Sequence, residues 1–206
     1  MIAGLYRDRL LPWLTHRAMK DPRFVPYRMR AAGAVQGRVL EVGIGSGLNF
    51  RYYGAAATRV VGIDPCKALL RRAARYGEGS AFPLTLVKVT SERLPFEDAS
   101  FDSVLVTWAL CSIANPLGAL REVRRVLRPD GRLLFAEHGL APERWVAAWQ
   151  RGLTPFWRRL SGGCHLDRPM DELVRSAGFR LQHLATGYAG APRPLTFQYE
   201  GCAIPA

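Results

Sequence analysis

Short apolar runs, separated by charged and glycine-containing turns, predict an alternation of strands and helices along the chain. The runs at 38–42, 59–63, 84–89, 101–107 and 132–136 have the length and apolar content of strands. The fourth run is apolar throughout its centre, which is typical of a strand covered on both faces of a sheet. Residues 67–76 and 116–127 have helical composition and spacing. The pattern predicts a doubly wound, Rossmann-like α/β fold with a mostly parallel sheet.

This alternation changes after the fifth predicted strand. Two helices are predicted at 141–160 and 170–177, then a strand at 179–184 and an antiparallel edge strand at 195–203. We expect one domain over 1–206, because the chain is long enough for one sizeable core and short for two. Its parts are an N-terminal helical cap (1–36), a cofactor-binding core (38–138), a helical lid (141–178) and C-terminal strands (179–206).

The first twenty residues, MIAGLYRDRLLPWLTHRAMK, predict a basic amphipathic helix. Charges interrupt every apolar run, so this segment is too polar to span a bilayer. Two interpretations stay open: the helix packs on its own domain, or it lies on an anionic membrane surface. The residues behind the prediction are Leu5, Leu10, Leu11, Trp13 and Leu14, with Arg7, Arg9, His16, Arg17 and Lys20.

Composition narrows the possible partners and the cellular setting. The net charge of +12 predicts attraction to something anionic, unless it only reflects a genome that prefers arginine. The four cysteines, Cys66, Cys111, Cys164 and Cys202, lie far apart without a CxxC pair. This spacing disfavours a zinc site and a disulfide framework. We therefore expect no metal and a cytoplasmic protein, with peripheral association at the inner membrane face as the variant. The sequence leaves the oligomeric state open.

The stretch LEVGIGSGLNF, at 40–50, places three glycines directly after the first predicted strand. A dinucleotide fingerprint needs a further glycine where Leu48 stands, and a phosphate loop needs lysine before serine or threonine where Leu48 and Asn49 stand. Neither phosphate-binding pattern is met. A nicotinamide oxidoreductase is therefore disfavoured.

The remaining pattern, an acid followed by three alternating glycines, resembles the S-adenosylmethionine (SAM) loop of class I methyltransferases. Three later features have the family's order: Asp64 at the end of the second strand, the passage SERLPFEDASFD at 91–102, and LRPDG at 127–131. The resemblance implies SAM as cofactor and S-adenosylhomocysteine as product. The cofactor-binding residues it implies are Glu41, Gly43, Gly45, Gly47, Asn49, Asp64, Pro65, Ser91, Glu92 and Thr107.

Four further motifs resemble the alkyl-thiol methyltransferases: TWALCS at 107–112, EH at 137–138, WVAAWQ at 145–150 and GCHLDR at 163–168. This resemblance implies a small-molecule acceptor, a thiol or hydrogen sulfide. The alternative is a peripheral-membrane methyltransferase of a phospholipid amine (phosphatidylethanolamine) or an isoprenoid quinone, which the basic N-terminus favours. A SAM-binding or nucleic-acid-binding protein without catalysis is disfavoured, because the cofactor features follow one another in the family's order and no aromatic RNA-binding motif is present.

Two histidines are predicted to favour the thiolate of an acceptor, His138 after the fifth strand and His165 in the lid. A structural role for either histidine stays open. The predicted substrate pocket comprises Tyr6, Trp108, Cys111, Trp149, Cys164 and Tyr188. The alternative for the two cysteines and Trp149 is packing in the core.

Overall fold

The computed structural model describes residues 6–206 of the chain, except the side chains of Arg7 and Asp8. Two helices precede the sheet: α1 (Leu11–Ala18), which continues a π-helical turn at Tyr6–Leu10, and α2 (Val25–Gly33). The predicted N-terminal helix therefore forms. Of the residues behind that prediction, Leu5 and the side chain of Arg7 lie outside the described part.

Seven strands form one sheet in the order β3-β2-β1-β4-β5-β7-β6. The first five are parallel, whereas β7 runs antiparallel to both β5 and β6. The predicted doubly wound α/β fold is confirmed. The strands are β1 (Gly37–Val42), β2 (Ala57–Ile63), β3 (Leu84–Val87), β4 (Phe101–Thr107), β5 (Leu127–His138), β6 (Phe179–Tyr188) and β7 (Phe197–Pro205).

The sequence predicted the C-terminal strand at the edge of the sheet. In the structure this strand, β7, is the second from that edge. β7 pairs with β5 on one side and with β6 on the other. Glycine makes this close packing possible, because a Cβ added at Gly201 would lie 2.5 Å from the ring of Phe135. The strand at this edge of the sheet is β6, and most of its side chains are exposed or half-buried.

Four more helices complete the fold: α3 (Lys67–Tyr76), α4 (Pro116–Val126), α5 (Arg144–Leu160) and α6 (Met170–Ser176). Together with α2, these helices cover both faces of the sheet. On one face α4 buries Leu120 and Val123 in the larger core cluster, and on the other α2 packs Ala31 and Ala32 against Val39. Asn115 caps α4, since its Oδ1 accepts a hydrogen bond from the Gly118 N–H at 2.9 Å.

The parallel strands direct their carboxyl ends to one edge of the sheet. The loops after β1, β2 and β4 therefore gather there, which is where α/β sheets bind their ligands. Within residues 6–206, none of the helices combines the length and the apolar character needed to cross a membrane.

Candidate active site

A cavity of about 400 Å³ lies at this edge of the sheet. The loop after β1 and the residues that follow β2, β3 and β4 form its floor and walls, and α1 with Gly162 forms its cover. His16 ties the cover to the glycine loop, because its Nδ1 lies 2.7 Å from the Ser46 Oγ. The volume lies within the range of small-molecule sites, about 300–1,000 Å³.

The three glycines of the loop differ in what surrounds them. All three have a positive φ, of 70° at Gly43, 55° at Gly45 and 78° at Gly47. A Cβ at Gly43 would lie 2.4 Å from the Ala109 Cβ, and one at Gly47 would lie 2.4 Å from the Phe50 ring. At Gly45 the nearest atom would be the Gly43 oxygen, at 3.9 Å. Gly43 and Gly47 therefore permit packing, and Gly45 leaves open space at the cavity.

Asp64 places a carboxylate beside this open space. Its Oδ2 accepts a hydrogen bond from the Gly45 N–H at 3.0 Å, and its Oδ1 accepts one from the Cys66 N–H at 2.7 Å. The side chain is buried, and burial raises the pKa of the carboxyl while the two backbone bonds lower it. Each oxygen keeps a free acceptor position for a ligand hydroxyl.

A buried hydrogen-bond network supports the loop from below. The two oxygens of Glu41 accept hydrogen bonds from the Asn49 Nδ2 at 2.6 Å and from the Tyr53 hydroxyl at 2.5 Å. Asn49 also donates to the Thr107 Oγ1 at 2.9 Å, which joins the loop to β4. Burial raises the pKa of Glu41 to about 7, against the opposing effect of these bonds. The network fixes the glycine loop relative to the sheet.

Arg28 of α2 brings a buried positive charge to the cavity wall. Its guanidinium donates to the Asn49 Oδ1 at 2.7 Å and to the Met19 carbonyl at 3.2 Å, and it lies 4.6 Å from the centre of the Trp108 ring. Burial lowers the pKa of Arg28 to about 10, so the group stays cationic at neutral pH. Both hydrogen-bond acceptors are uncharged, and the nearby Glu41, with a pKa of about 7, compensates the charge only in part, so the site favours an anionic ligand group.

Trp108 forms the wall next to Arg28 in an unusual backbone conformation. Its φ is 50°, which costs a non-glycine residue about 1–2 kcal/mol. The indole Nε1 donates to the Gln198 Oε1 at 2.8 Å, and the ring packs 4.8 Å from that of Phe24. These contacts hold the indole against the cavity.

Glu137 fixes the backbone of residues 109–111, which follow Trp108. Its fully buried carboxylate accepts hydrogen bonds from the backbone N–H groups of Ala109, Leu110 and Cys111, at 2.7, 2.9 and 3.3 Å. Burial raises the pKa of Glu137 to about 7, and the three bonds act in the opposite direction. Glu137 therefore positions the wall formed by Ala109 and Ser112.

Comparison with known proteins places this geometry in a family. Residues 40–135 match the model of a methyltransferase domain. The chain is 37% identical over 153 residues to the thiol S-methyltransferase TMT1A of Homo sapiens, covering 71% of this chain and 62% of that protein. It is 35% identical over 113 residues to the demethylmenaquinone methyltransferase of Tropheryma whipplei, covering 55% and 46%.

A solved structure shares the fold. The 1,6-didemethyltoxoflavin-N1-methyltransferase of Burkholderia thailandensis, with bound S-adenosylhomocysteine, superimposes with a TM-score of 0.71 at 16% identity, over 100% of this chain and 89% of that one. This chain belongs to the SAM-dependent methyltransferases. It spans about three fifths of the length of the thiol S-methyltransferases that it matches.

The cavity fits SAM. Asp64 offers acceptors for the ribose hydroxyls, the open space at Gly45 admits the ligand close to the backbone, and Arg28 offers a partner for the methionine carboxylate. Ser91 and Glu92 line the cavity where the sequence placed the adenine. The predicted residues that the structure brings to the cavity are Gly43, Gly45, Asp64, Pro65, Ser91, Glu92, Thr107 and Trp108.

The other predicted cofactor residues lie behind the cavity surface. Both oxygens of Glu41 are engaged by side chains, Asn49 is 1% exposed within the same network, and Gly47 packs on Phe50. In this structure they support the loop and do not line the cavity. An acid before a glycine loop indicates a cofactor loop. The sequence does not show whether its carboxylate faces the ligand or bonds to other side chains of the protein.

Three predicted pocket residues lie away from the cavity lining. The Tyr6 hydroxyl donates to the Leu160 carbonyl at 2.5 Å, and the Tyr188 hydroxyl donates to Glu143 at 2.6 Å. Trp149 is 61% exposed on the outer side of α5. Its spacing from Trp145 puts both residues on one helix face, but the buried face of α5 carries other residues, Val146 and Ala147 among them.

The two histidines and two cysteines group together behind the wall at 109–112. The Cys164 Sγ lies 3.9 Å from the His138 Nδ1, and the backbone N–H of His165 donates to the Cys111 carbonyl at 2.8 Å. The His138 Nε2 is buried and has no hydrogen-bond partner within the described residues. The proximity of the two thiols raises the pKa of Cys111 and lowers that of Cys164. Because none of the four lines the cavity, their role in activating an acceptor stays a prediction.

Sequence reasoning missed Arg28, and only a weak signal was available. Arg28 shares one face of α2 with the buried Ala31 and Ala32. An arginine on an otherwise apolar helix face points to a buried partner. No motif marks it.

Proposed function

We propose that this chain transfers a methyl group from SAM to the sulfur of a small thiol or of hydrogen sulfide. The observation that carries the proposal is the chemistry of the cavity at its acceptor end. At this end the lining includes Trp108, Ala109, Ser112, Ile113 and Ala114, with Leu11, Pro12, Thr15 and Gly162 from the cover. Among these residues there is no carboxyl, imidazole or amine.

A thiol is the acceptor that needs no such group. With a pKa of about 8.5, a free thiol is a few per cent thiolate at neutral pH, whereas an ammonium ion or an alcohol needs a base. When bound, SAM supplies a methyl group on a sulfonium sulfur, which a thiolate takes by in-line displacement. The contribution of the protein is alignment and exclusion of water by the apolar wall.

Within this proposal each cavity residue has one task. Asp64 holds the ribose, Arg28 holds the methionine carboxylate, and Ser91 with Glu92 meets the adenine. Trp108 and Ala109 then shape the space in which the acceptor sulfur lies. The relatives named thiol S-methyltransferase support this choice, since their similarity extends over 68–71% of this chain.

A membrane-borne acceptor, a phospholipid amine or an isoprenoid quinone, is the second proposal. The relatives named demethylmenaquinone methyltransferase favour the quinone, over a shorter span of 55% of this chain. The apolar acceptor end would suit its ring.

The test is transfer of a radiolabelled methyl group from SAM to four acceptors: hydrogen sulfide, an alkyl thiol, phosphatidylethanolamine vesicles and a short-chain naphthoquinol. We expect labelled methanethiol and methyl thioether, with Asp64→Asn as the impaired control. Label in lipid or quinol without thioether would overturn the first proposal and favour the second.

A further inference from the structure

We propose that α5 docks on the surface of an anionic lipid bilayer through an exposed apolar stripe, with arginines on the other exposed side of the helix. The stripe consists of Trp145, Trp149, Phe156 and Leu160, which are 53%, 61%, 68% and 65% exposed. Spacings of four and seven residues return a helix to about the same face, so the four side chains form one row along α5. Large apolar side chains exposed in a continuous row mark an interaction surface.

A row of positive charge runs along another exposed side of α5, about 150° around the helix axis from the stripe. Arg144, Arg151 and Arg158 follow one another at seven-residue spacing and are all exposed. None of the three forms an ion pair with any residue between 6 and 206. A helix with an apolar face and free cations on its polar face is the arrangement that lies in the plane of an anionic membrane surface.

The surface continues from α5 onto α1. The hydrogen bond from the Tyr6 hydroxyl to the Leu160 carbonyl joins the two segments, and a Cβ at Gly162 would lie 3.1 Å from Leu11. α1 turns Pro12 and His16 inward, whereas Leu10, Trp13 and Leu14 are 47%, 46% and 41% exposed. Beyond Trp13 lies a groove bordered by Arg9, Lys67, Arg71, Arg72 and Lys88. The apolar area therefore lies between two groups of cations.

A bilayer fits this surface better than a second copy of the chain does. A symmetric dimer uses the same patch on both partners, which would bring two chains with a net charge of +12 each into contact. Tryptophan is favoured at membrane–water interfaces, where its ring meets acyl chains and its N–H meets water. Nucleic acid would match the arginines but would leave Phe156 and Leu160 in water.

The position of this surface has a consequence that, unlike the docking, rests on the proposed function. Leu11 and Gly162 line the cavity, while Leu10 and Leu160 beside them belong to the exposed surface. A lipophilic thiol that partitions into the bilayer would therefore reach the acceptor end directly from the membrane.

The test is sedimentation with phosphatidylcholine vesicles, with and without phosphatidylglycerol. We expect binding that depends on phosphatidylglycerol. The Trp149→Ser/Phe156→Ser variant should bind about tenfold or more weakly, because two exposed aromatic side chains no longer enter the interface. The variant with Arg144, Arg151 and Arg158 changed to Gln should bind vesicles that contain phosphatidylglycerol more weakly, by up to about fivefold for each arginine, while the cations beside α1 keep part of the dependence.

Two matched controls accompany these variants. Arg59, Arg121 and Arg180, changed together to Gln, remove the same charge from exposed positions on other elements. Met29→Ser removes a side chain that is 58% exposed on α2. Both controls should bind vesicles like the unaltered chain, and circular dichroism checks that all variants are folded.

Three results would overturn the proposal. The first is no binding to either kind of vesicle. The second is an equal loss of vesicle binding in the α5 variants and in their controls. The third is self-association or RNA binding that the α5 changes abolish while vesicle binding persists. Each readout is independent of methyl transfer. A failed acceptor assay therefore leaves the docking result intact, and a failed docking assay leaves the acceptor result intact.

Discussion

Replacing Asp64 with asparagine should separate binding of the cofactor from stability of the fold. Asparagine has nearly the same shape, but it replaces one carboxylate oxygen with a hydrogen-bond donor and removes the charge. In the structure both oxygens accept backbone N–H bonds, from Gly45 and Cys66. The variant keeps one of these bonds and one acceptor for the ribose.

The magnitude follows from the bonds that are lost. A hydrogen bond to a charged group contributes about 1.5–3 kcal/mol. Losing one such bond to the ribose, and facing the second hydroxyl with an uncharged group, should weaken binding by about 2–3 kcal/mol, or about 30- to 150-fold in Kd. Folding should change little, because burial raises the pKa of Asp64 and the lost backbone bond is offset by removal of a buried charge.

The assay is isothermal titration of S-adenosylhomocysteine into the unaltered chain, Asp64→Asn and Asp98→Asn. Asp98 is a matched control, since its side chain is 77% exposed and paired with Arg125 at 2.7 Å. We expect the Asp98 variant to bind normally and the Asp64 variant to unfold at nearly the same temperature as the unaltered chain. Binding by the Asp64 variant within twofold of the unaltered chain would refute the placement of the ribose.

Three further predictions concern the loop, its support and the cavity. Gly43→Ala should lower the free energy of unfolding by about 2–4 kcal/mol, through its positive φ and the contact with Ala109, and Ala109→Gly should recover part of the loss in urea titrations; no recovery would contradict the contact. Burial raises the pKa of Glu41 to about 7 from its usual 4.5, so its stabilising effect is complete below about pH 4.5 and is lost as pH rises to about 7. The stability of the unaltered chain relative to Glu41→Gln should accordingly fall by about 3 kcal/mol over this range, and a difference independent of pH would be inconsistent with it. S-Adenosylhomocysteine should slow alkylation of Cys66, which lines the cavity, but not of Cys202, as followed by mass spectrometry; equal rates with and without ligand would argue against this site.

The sequence predicted those features that are encoded locally. Apolar runs of strand length gave β1, β2 and β4 close to their observed bounds, because strands buried on both faces must be apolar. Gly45 and Asp64 were found because a backbone that approaches a ligand excludes side chains and because strand ends in this fold carry polar ligand-binding groups.

Features that depend on tertiary contacts were not predicted. The place of β7 between β5 and β6 depends on contacts between segments distant in sequence. The same is true of Arg28, which reaches the cavity only because α2 packs beside Trp108. For Trp149, spacing alone gave a helix face but not whether that face is buried or exposed.

The measurement that tests the account most directly is the pH dependence of labelled-methyl transfer to two alkyl thiols whose own pKa values differ. The account predicts methyl thioether from both thiols, with kcat/KM rising with pH to a plateau whose midpoint follows the pKa of each thiol, because the acceptor end of the cavity provides no base. A midpoint that is the same for both thiols would show that a protein group removes the proton. Absence of thioether at every pH would contradict the assignment of sulfur as the acceptor.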